Sequence, residues 1–243
     1  MAHGMPDDSD VESDSNVSKS LDLAELAVRL GALPSFDRRG DVIYCNDFRA
    51  GLGLLAAASS SGGIAQNLCN SNALLSGISL DMLAPNTEDQ YANVYFEIVL
   101  GQTKSVGIEA LYTIAQPAKS ISLRMEIIIG GIAYYFAVDV VFATGEVLAY
   151  NQAGVWVQVG VHTCLTPDAQ WLQSFKLVAD LENHRYARLV FNNSTYLLTA
   201  TLPYVFTVAT NDSVLVELRV RSGAGGPAEA YLAGVILTQN EPL

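Results

Sequence analysis

The chain has 243 residues, half of them hydrophobic and 16% charged, with a formal net charge of −12. So large an apolar fraction excludes a mainly disordered protein and suffices for a sizeable core, and all-β folds of this length occur as single domains. Thirteen basic residues stand against 25 acidic ones, and no basic run exceeds Arg38-Arg39. That excludes a duplex-binding surface, which needs clustered Lys and Arg, so nucleic acid is not an expected partner.

Residues 1–20, MAHGMPDDSDVESDSNVSKS, show neither a basic n-region nor an apolar h-region, and the expectation is synthesis in the cytoplasm without a signal peptide. They carry Asp7, Asp8, Asp10, Glu12 and Asp14 against Lys19, and without them 20 acids and 12 bases leave a charge of −8. Such a segment buries too little apolar surface to offset chain entropy, which predicts a disordered acidic tail. Residues 21–40 read as a short amphipathic helix and a linker. Leu23, Leu26, Ala27 and Leu30 recur at helical spacing. Asp22 and Glu25 suit the helix N-terminus, Arg29 the C-terminus, and Gly31 and Pro34 end it. Leu23, Leu26 and Leu30 are the candidate tether, onto the protein's own domain or onto a partner.

From Val42 onward the hydrophobic period is two, which predicts a β-sandwich domain over 41–243. In 214–221, Val214, Val216, Leu218 and Val220 face one way and Glu217, Arg219 and Arg221 the other. Ile121, Leu123, Met125, Ile127 and Ile129 alternate likewise with Ser122, Arg124 and Glu126. Turn signals at Gly130-Gly131, Thr144-Gly145, 152–154, 182–184 and Asn192-Asn193 delimit the runs 132–142, 147–151, 155–161, 175–181, 185–191 and 195–199. Earlier runs are 42–48, 76–82, 91–100 and 107–114, and a glycine-rich loop joins 214–221 to 230–238. Many short strands with polar turns predict an antiparallel two-sheet sandwich. The apolar stretch 127–138 falls short of the ~20 residues that span a bilayer, so no membrane partner is expected.

The order of these pieces resembles the concanavalin A-like lectin/glucanase superfamily. Val42-Ile-Tyr-Cys-Asn-Asp-Phe48 resembles its opening strand, and Ser76-Gly-Ile-Ser-Leu-Asp-Met82 the strand after a variable loop. The meander over 133–161, with Trp156 after a turn, and the pair 175–180 and 186–192 are similar to its later strands. The likeness covers 42–237, and its nearest echo is with uncharacterised bacterial and phage members. It implies an all-β jelly-roll sandwich far more firmly than it implies a function.

The chemistry expected is sparse. Cys45, Cys69 and Cys164 are too few and scattered for a disulfide framework or zinc site and read as buried structural thiols. His3, His162 and His184 are far apart, no Asp/Asn/His metal loop is present, and neither metal nor cofactor is expected. Sandwich glucanases carry E-x-D-x-x-E, which is absent; Glu126 is followed by three isoleucines, and Asp180-Leu-Glu182 enters a turn. Arg39-Gly-Asp41 and the sequons at Asn16, Asn192, Asn193 and Asn211 carry no further weight. For glycans, aromatic faces and amides are the natural ligands, which nominates Tyr150, Asn151, Gln152, Trp156 and Trp171. Both tryptophans fit a core position equally well, and Tyr91, Tyr95, Tyr134 and Tyr135 fit a subunit interface. The expected function is a non-catalytic structural or recognition module on a multisubunit assembly, a phage virion being the concrete case. Its partners would be copies of itself or capsid or tail proteins. A free lectin-like carbohydrate-binding module is the alternative, and a divergent glycoside hydrolase the third reading.

Overall fold

The computed structural model describes residues 40–48, 51–59, 64–69, 78–101, 103–116, 118–162, 173–192, 194–209 and 211–243. The expected tail and helix, with Leu23, Leu26 and Leu30, lie outside the described residues, as do Cys164 and Trp171.

The regular structure described is entirely β. In chain order the strands are β1 (Asp41–Asn46), β2 (Ala56–Ser59), β3 (Ile64–Cys69), β4 (Ser79–Ala84), β5 (Tyr91–Ile98) and β6 (Ser105–Gln116). Next come β7 (Ala118–Ile129), β8 (Ile132–Val141), β9 (Glu146–Tyr150), β10 (Trp156–Val161), β11 (Gln173–Asp180) and β12 (Arg185–Phe191). The last are β13 (Ser194–Leu197), β14 (Tyr204–Thr207), β15 (Ser213–Ser222) and β16 (Ala228–Gln239). They form two antiparallel sheets of eight strands each. Sheet A runs β13-β12-β11-β6-β16-β4-β3, with β1 also on β16; sheet B runs β10-β9-β8-β7-β15-β5-β2, with β14 also on β8.

The alternation seen in the sequence sets which faces meet. Ile121, Leu123, Met125 and Ile127 of β7 are fully buried against Ile108, Tyr112, Phe175 and Leu237 of sheet A in one core. The 133–161 meander is present as β8-β9-β10. It starts from the two-residue hairpin at Gly130-Gly131, whose φ values of 57° and 78° are the positive pair that a type I′ turn demands. The 182–184 turn is also present, so Asp180 ends β11 and does not continue to Glu182.

Several expectations need correction. Strands β2, β3 and β14 are not predicted by the sequence pattern: Ala-Ala-Ala-Ser of β2 has little β character, and Tyr-Val-Phe-Thr of β14 follows directly on Pro203. Tyr134 does not share a surface with Tyr135: it points into the core, with its ring 4.4 Å from that of His184. Cys45 and Cys69 are half-buried and form no disulfide with a described residue, and burial pushes the Cys45 thiol up to about 12.

A sandwich strand is expected to keep one solvated face, and the middle of sheet A does not. All eight residues of β11 are buried, as are the first ten of β6. The outward face there carries charge inside the protein. Lys176 Nζ lies 2.7 Å from Glu241 Oε1, and Arg188 Nη2 lies 2.8 Å from Glu241 Oε2. Thr238 donates to the same carboxylate, and Ser105 Oγ donates to the Glu241 carbonyl at 2.7 Å. The chain past β16 is thus folded back onto the sheet. Gly107 makes room for it, since a Cβ there would come within 2.6 Å of Thr238 Oγ1 and 2.8 Å of Glu241 Oε1.

Sheet B has a different device. Along one edge of β8, Tyr204–Thr207 pair with Ile132–Tyr135 and β9 pairs with Val138–Val140, so Phe136 and Ala137 face neither strand. Tyr186 of β12 crosses the core to this gap. Its hydroxyl accepts from the Ala137 amide at 2.8 Å and donates to the Tyr150 carbonyl at 2.7 Å, with the Ala137 carbonyl at 3.1 Å. Burial raises its pKa, so it stays a neutral donor.

Tyr186→Phe is expected to orphan a buried amide and lower unfolding free energy by about 1–3 kcal/mol, measured by urea titration. Glu241→Ala removes the carboxylate shared by two buried cations and is expected to cost about 3–5 kcal/mol in the same assay.

Candidate functional site

The outward face of sheet B carries side chains in cross-strand rows. One row reads Tyr204, Tyr135, Glu126, Leu215 and Glu97 across β14, β8, β7, β15 and β5. The next reads Ala137, Arg124, Glu217 and Tyr95. Strict alternation places them: Arg124 and Glu126 point outward because Leu123, Met125 and Ile127 must point into the core.

Tyr150 is the hub of an aromatic cluster here. Its ring centroid is 5.8 Å from Tyr135, 5.2 Å from Trp156 and 5.9 Å from Tyr204, all edge-on, and Tyr204 lies 5.8 Å from Phe206. These rings, with Arg124 and Glu126, bound an open cavity of about 360 Å³. Behind it, the Tyr186 hydroxyl holds the Tyr150 carbonyl, so the hub is fixed from the opposite sheet.

The charged groups differ in how firmly they are held. Arg219 donates to Glu217 Oε1 through Nε at 3.1 Å and Nη2 at 2.6 Å, and stacks its guanidinium 3.8 Å from the Tyr91 ring centre. Asn93 donates to the same oxygen, and Arg124 Nη1 lies 3.6 Å from Glu217 Oε2. Glu217 is therefore a clamped carboxylate. Burial raises the Tyr135 hydroxyl, opposed by the positive charge of Arg124 beside it. Glu126 accepts no hydrogen bond from any described residue, and burial, then the charge of Glu97, raises its carboxyl above the ordinary range.

The sequence candidates divide. Tyr150 and Trp156 meet in the cavity, and Trp156 is a half-buried wall residue rather than a core one. Asn151 and Gln152 fall on the adjoining β9–β10 turn. Asn151 Oδ1 is occupied there, accepting the amides of Ala153 at 3.0 Å and Val155 at 3.2 Å. Arg124, Glu126, Tyr135, Tyr204 and Phe206 also line the cavity and are not among the glycan candidates of the sequence, where Tyr135 fits a subunit interface and Glu126 enters only the search for a glucanase motif. The first two were legible as the polar face of an alternating run. Tyr204 and Phe206 were not, because their strand was not recognised. Among the described residues no group of three or more His, Cys, Asp or Glu is placed to hold a metal ion.

Solved structures share the two-sheet fold. The metal-free lectin I-B4 from Griffonia simplicifolia matches over 81% of this chain and 98% of its own, at TM-score 0.51 and 12% identity. The fold is a lectin-type, concanavalin A-like β-sandwich. The carbohydrate esterase vb_24B_21 from Shiga toxin-encoding bacteriophage phi24B matches over 82% and 99%, at TM-score 0.52 and 12% identity. A sialidase matches over 82% of this chain at TM-score 0.52 and 13% identity, and the chain spans only 18% of its length. No family model and no curated protein sequence matches.

Because the folded state of this lectin-type sandwich raises Glu126, it binds that proton more tightly than the unfolded chain does. Ionisation at neutral pH therefore opposes folding, and stability recovers as pH falls through the raised value towards the ordinary carboxylate range. Glu126→Gln is expected to be at least as stable as the unsubstituted protein at about pH 7, with the difference closing towards about pH 4, followed by thermal melts.

Proposed function

We propose that the Tyr150 cavity binds carbohydrate without reacting with it. The observation that carries this is the cluster of rings around Tyr150 bordering Arg124 and Glu126 on an open sheet face. The C–H face of a pyranose stacks on aromatic rings, while a guanidinium and a carboxylate donate to and accept from its hydroxyls. The lectin among the structural neighbours supports the same reading.

The clamping of Glu217 favours binding over hydrolysis. Glu217 lies diagonally across from Glu126, because Leu215 is the residue paired with Glu126. Diagonal neighbours stand about 7–8 Å apart, a spacing an inverting glycosidase could use. Yet one Glu217 oxygen is committed to Arg219 and Asn93 and the other faces Arg124, which suits a structural role. As the wider setting we infer display on a multisubunit assembly such as a phage particle, supported by the phage protein among the neighbours. Light scattering of the chain with and without residues 1–33 tests it; a strict monomer in both forms counts against it.

A glycan array and affinity electrophoresis test the binding site. Trp156→Ala is expected to keep the fold and weaken retention about tenfold or more. Silence across a broad panel, or unchanged binding by Trp156→Ala, would overturn the assignment. Release of reducing ends that stops in Glu126→Gln would replace it with a hydrolase.

A further inference from the structure

Sheet A carries a second apolar surface on its outward side. Leu111, Val178 and Ile236 alternate with core residues and so point away from sheet B, yet they are 4%, 0% and 3% exposed. Glu109, Thr113 and Lys176 share that face and are buried as well. Every described strand belongs to one of the two sheets, and sheet B packs on the inward side.

The folded-back end beyond β16 covers one part of this face. Glu241 sits against Gly107 and Thr238. Thr113 stands further along β6, about 20 Å from Gly107 at the rise of a strand. Only Pro242 and Leu243 follow Glu241, a reach of about 7 Å, and Leu243 is exposed. Another segment of the chain must therefore lie over Leu111 and Thr113. Thr113 Oγ1 is buried and takes no hydrogen bond among the described residues, as it would beneath an apolar cover.

The chain ahead of Asp41 enters at the edge of this same face. A Cβ on Gly40 would lie 2.9 Å from Glu241 Oε1 and 3.0 Å from the Gln239 carbonyl. From there residues 31–39 can span up to about 30 Å, more than the distance to Thr113. Before them come residues 21–30, in which Leu23, Leu26, Ala27 and Leu30 fall on one side of a helical pattern and Asp22, Glu25 and Arg29 on the other. As a helix that stretch is about 15 Å long, close to the roughly 13 Å from Glu109 to Thr113.

We propose that the leucine stripe of residues 21–30 docks on the outward face of sheet A of its own chain, over Leu111, Thr113 and Ile236. The acidic residues 1–20 are then carried on the sheet A side, away from the Tyr150 cavity of sheet B. The docking does not depend on what that cavity binds.

The test uses the full chain with the photo-crosslinker benzoylphenylalanine in place of Leu26, its adducts mapped by mass spectrometry. Adducts within one chain on β6, β11 or β16 are expected. The double variant Leu23→Asp with Leu26→Asp is expected to lower Tm by about 5 °C or more and to raise the binding of an apolar dye. Glu25→Gln, on the opposite side of the same pattern, is expected to change neither. Adducts joining two chains overturn self-docking in favour of a second copy. Adducts found only outside sheet A, or a double variant that melts as the unsubstituted chain does, overturn the docking itself.

Discussion

Strand β8 must serve two partners along one edge, and the backbone between them would be left without hydrogen bonds if Tyr186 did not reach it through the core. A buried amide without a partner is costly, so the split edge and the cross-core hydroxyl are one design. The consequence extends outward. The split lets β14 approach β8 from the same side as β9, and that brings Tyr204 beside Tyr150. The hydroxyl that repairs the gap also fixes the Tyr150 backbone. An aromatic cluster assembled from four strands is thereby held by a residue of the other sheet.

The two outward faces treat charge differently. On sheet A the charges are internal: Glu241 holds Lys176 and Arg188 with almost no access to solvent. Removing any member leaves the others without compensation, so this face is fixed. On sheet B the charges stay partly hydrated and unequal. Glu217 is saturated by its neighbours, whereas Glu126 is left without a donor among the described residues. An acceptor left open beside aromatic rings is what the proposed carbohydrate site requires.

The sandwich was legible because alternation is a direct consequence of the pleat. Val214 to Val220 and Ile121 to Ile127 have one possible inward face each, and the Gly130-Gly131 turn has one suitable geometry. The site was half legible. Tyr150 and Trp156 stand out as large aromatics flanking a turn, but their partners come from β7, β8 and β14, and cross-strand register is not written in local sequence. Asn151 misled for a physical reason: Asn beside a turn is usually engaged with the turn's own amides, as it is here. The internal charges of sheet A were illegible, because a Lys in an alternating strand reads as solvated until something folds over it.

The β1–β16 ladder has a mechanical consequence. Asp41 pairs with Gln239 and Asn46 with Val235, so the entry to the sandwich and its last strand leave at the same end of one antiparallel pair. Tension applied between those ends loads the rungs one after another, as a zip opens, instead of straining them together in shear. The side beyond Gln239 is gripped by the Glu241 cluster, whereas the start of β1 is held among the described residues by its ladder and an exposed bond from Asn240 Nδ2 to Asp41 Oδ2 at 2.9 Å. A pull on anything attached ahead of Asp41 therefore peels β1 away first among the strands and leaves the ring cluster of sheet B intact.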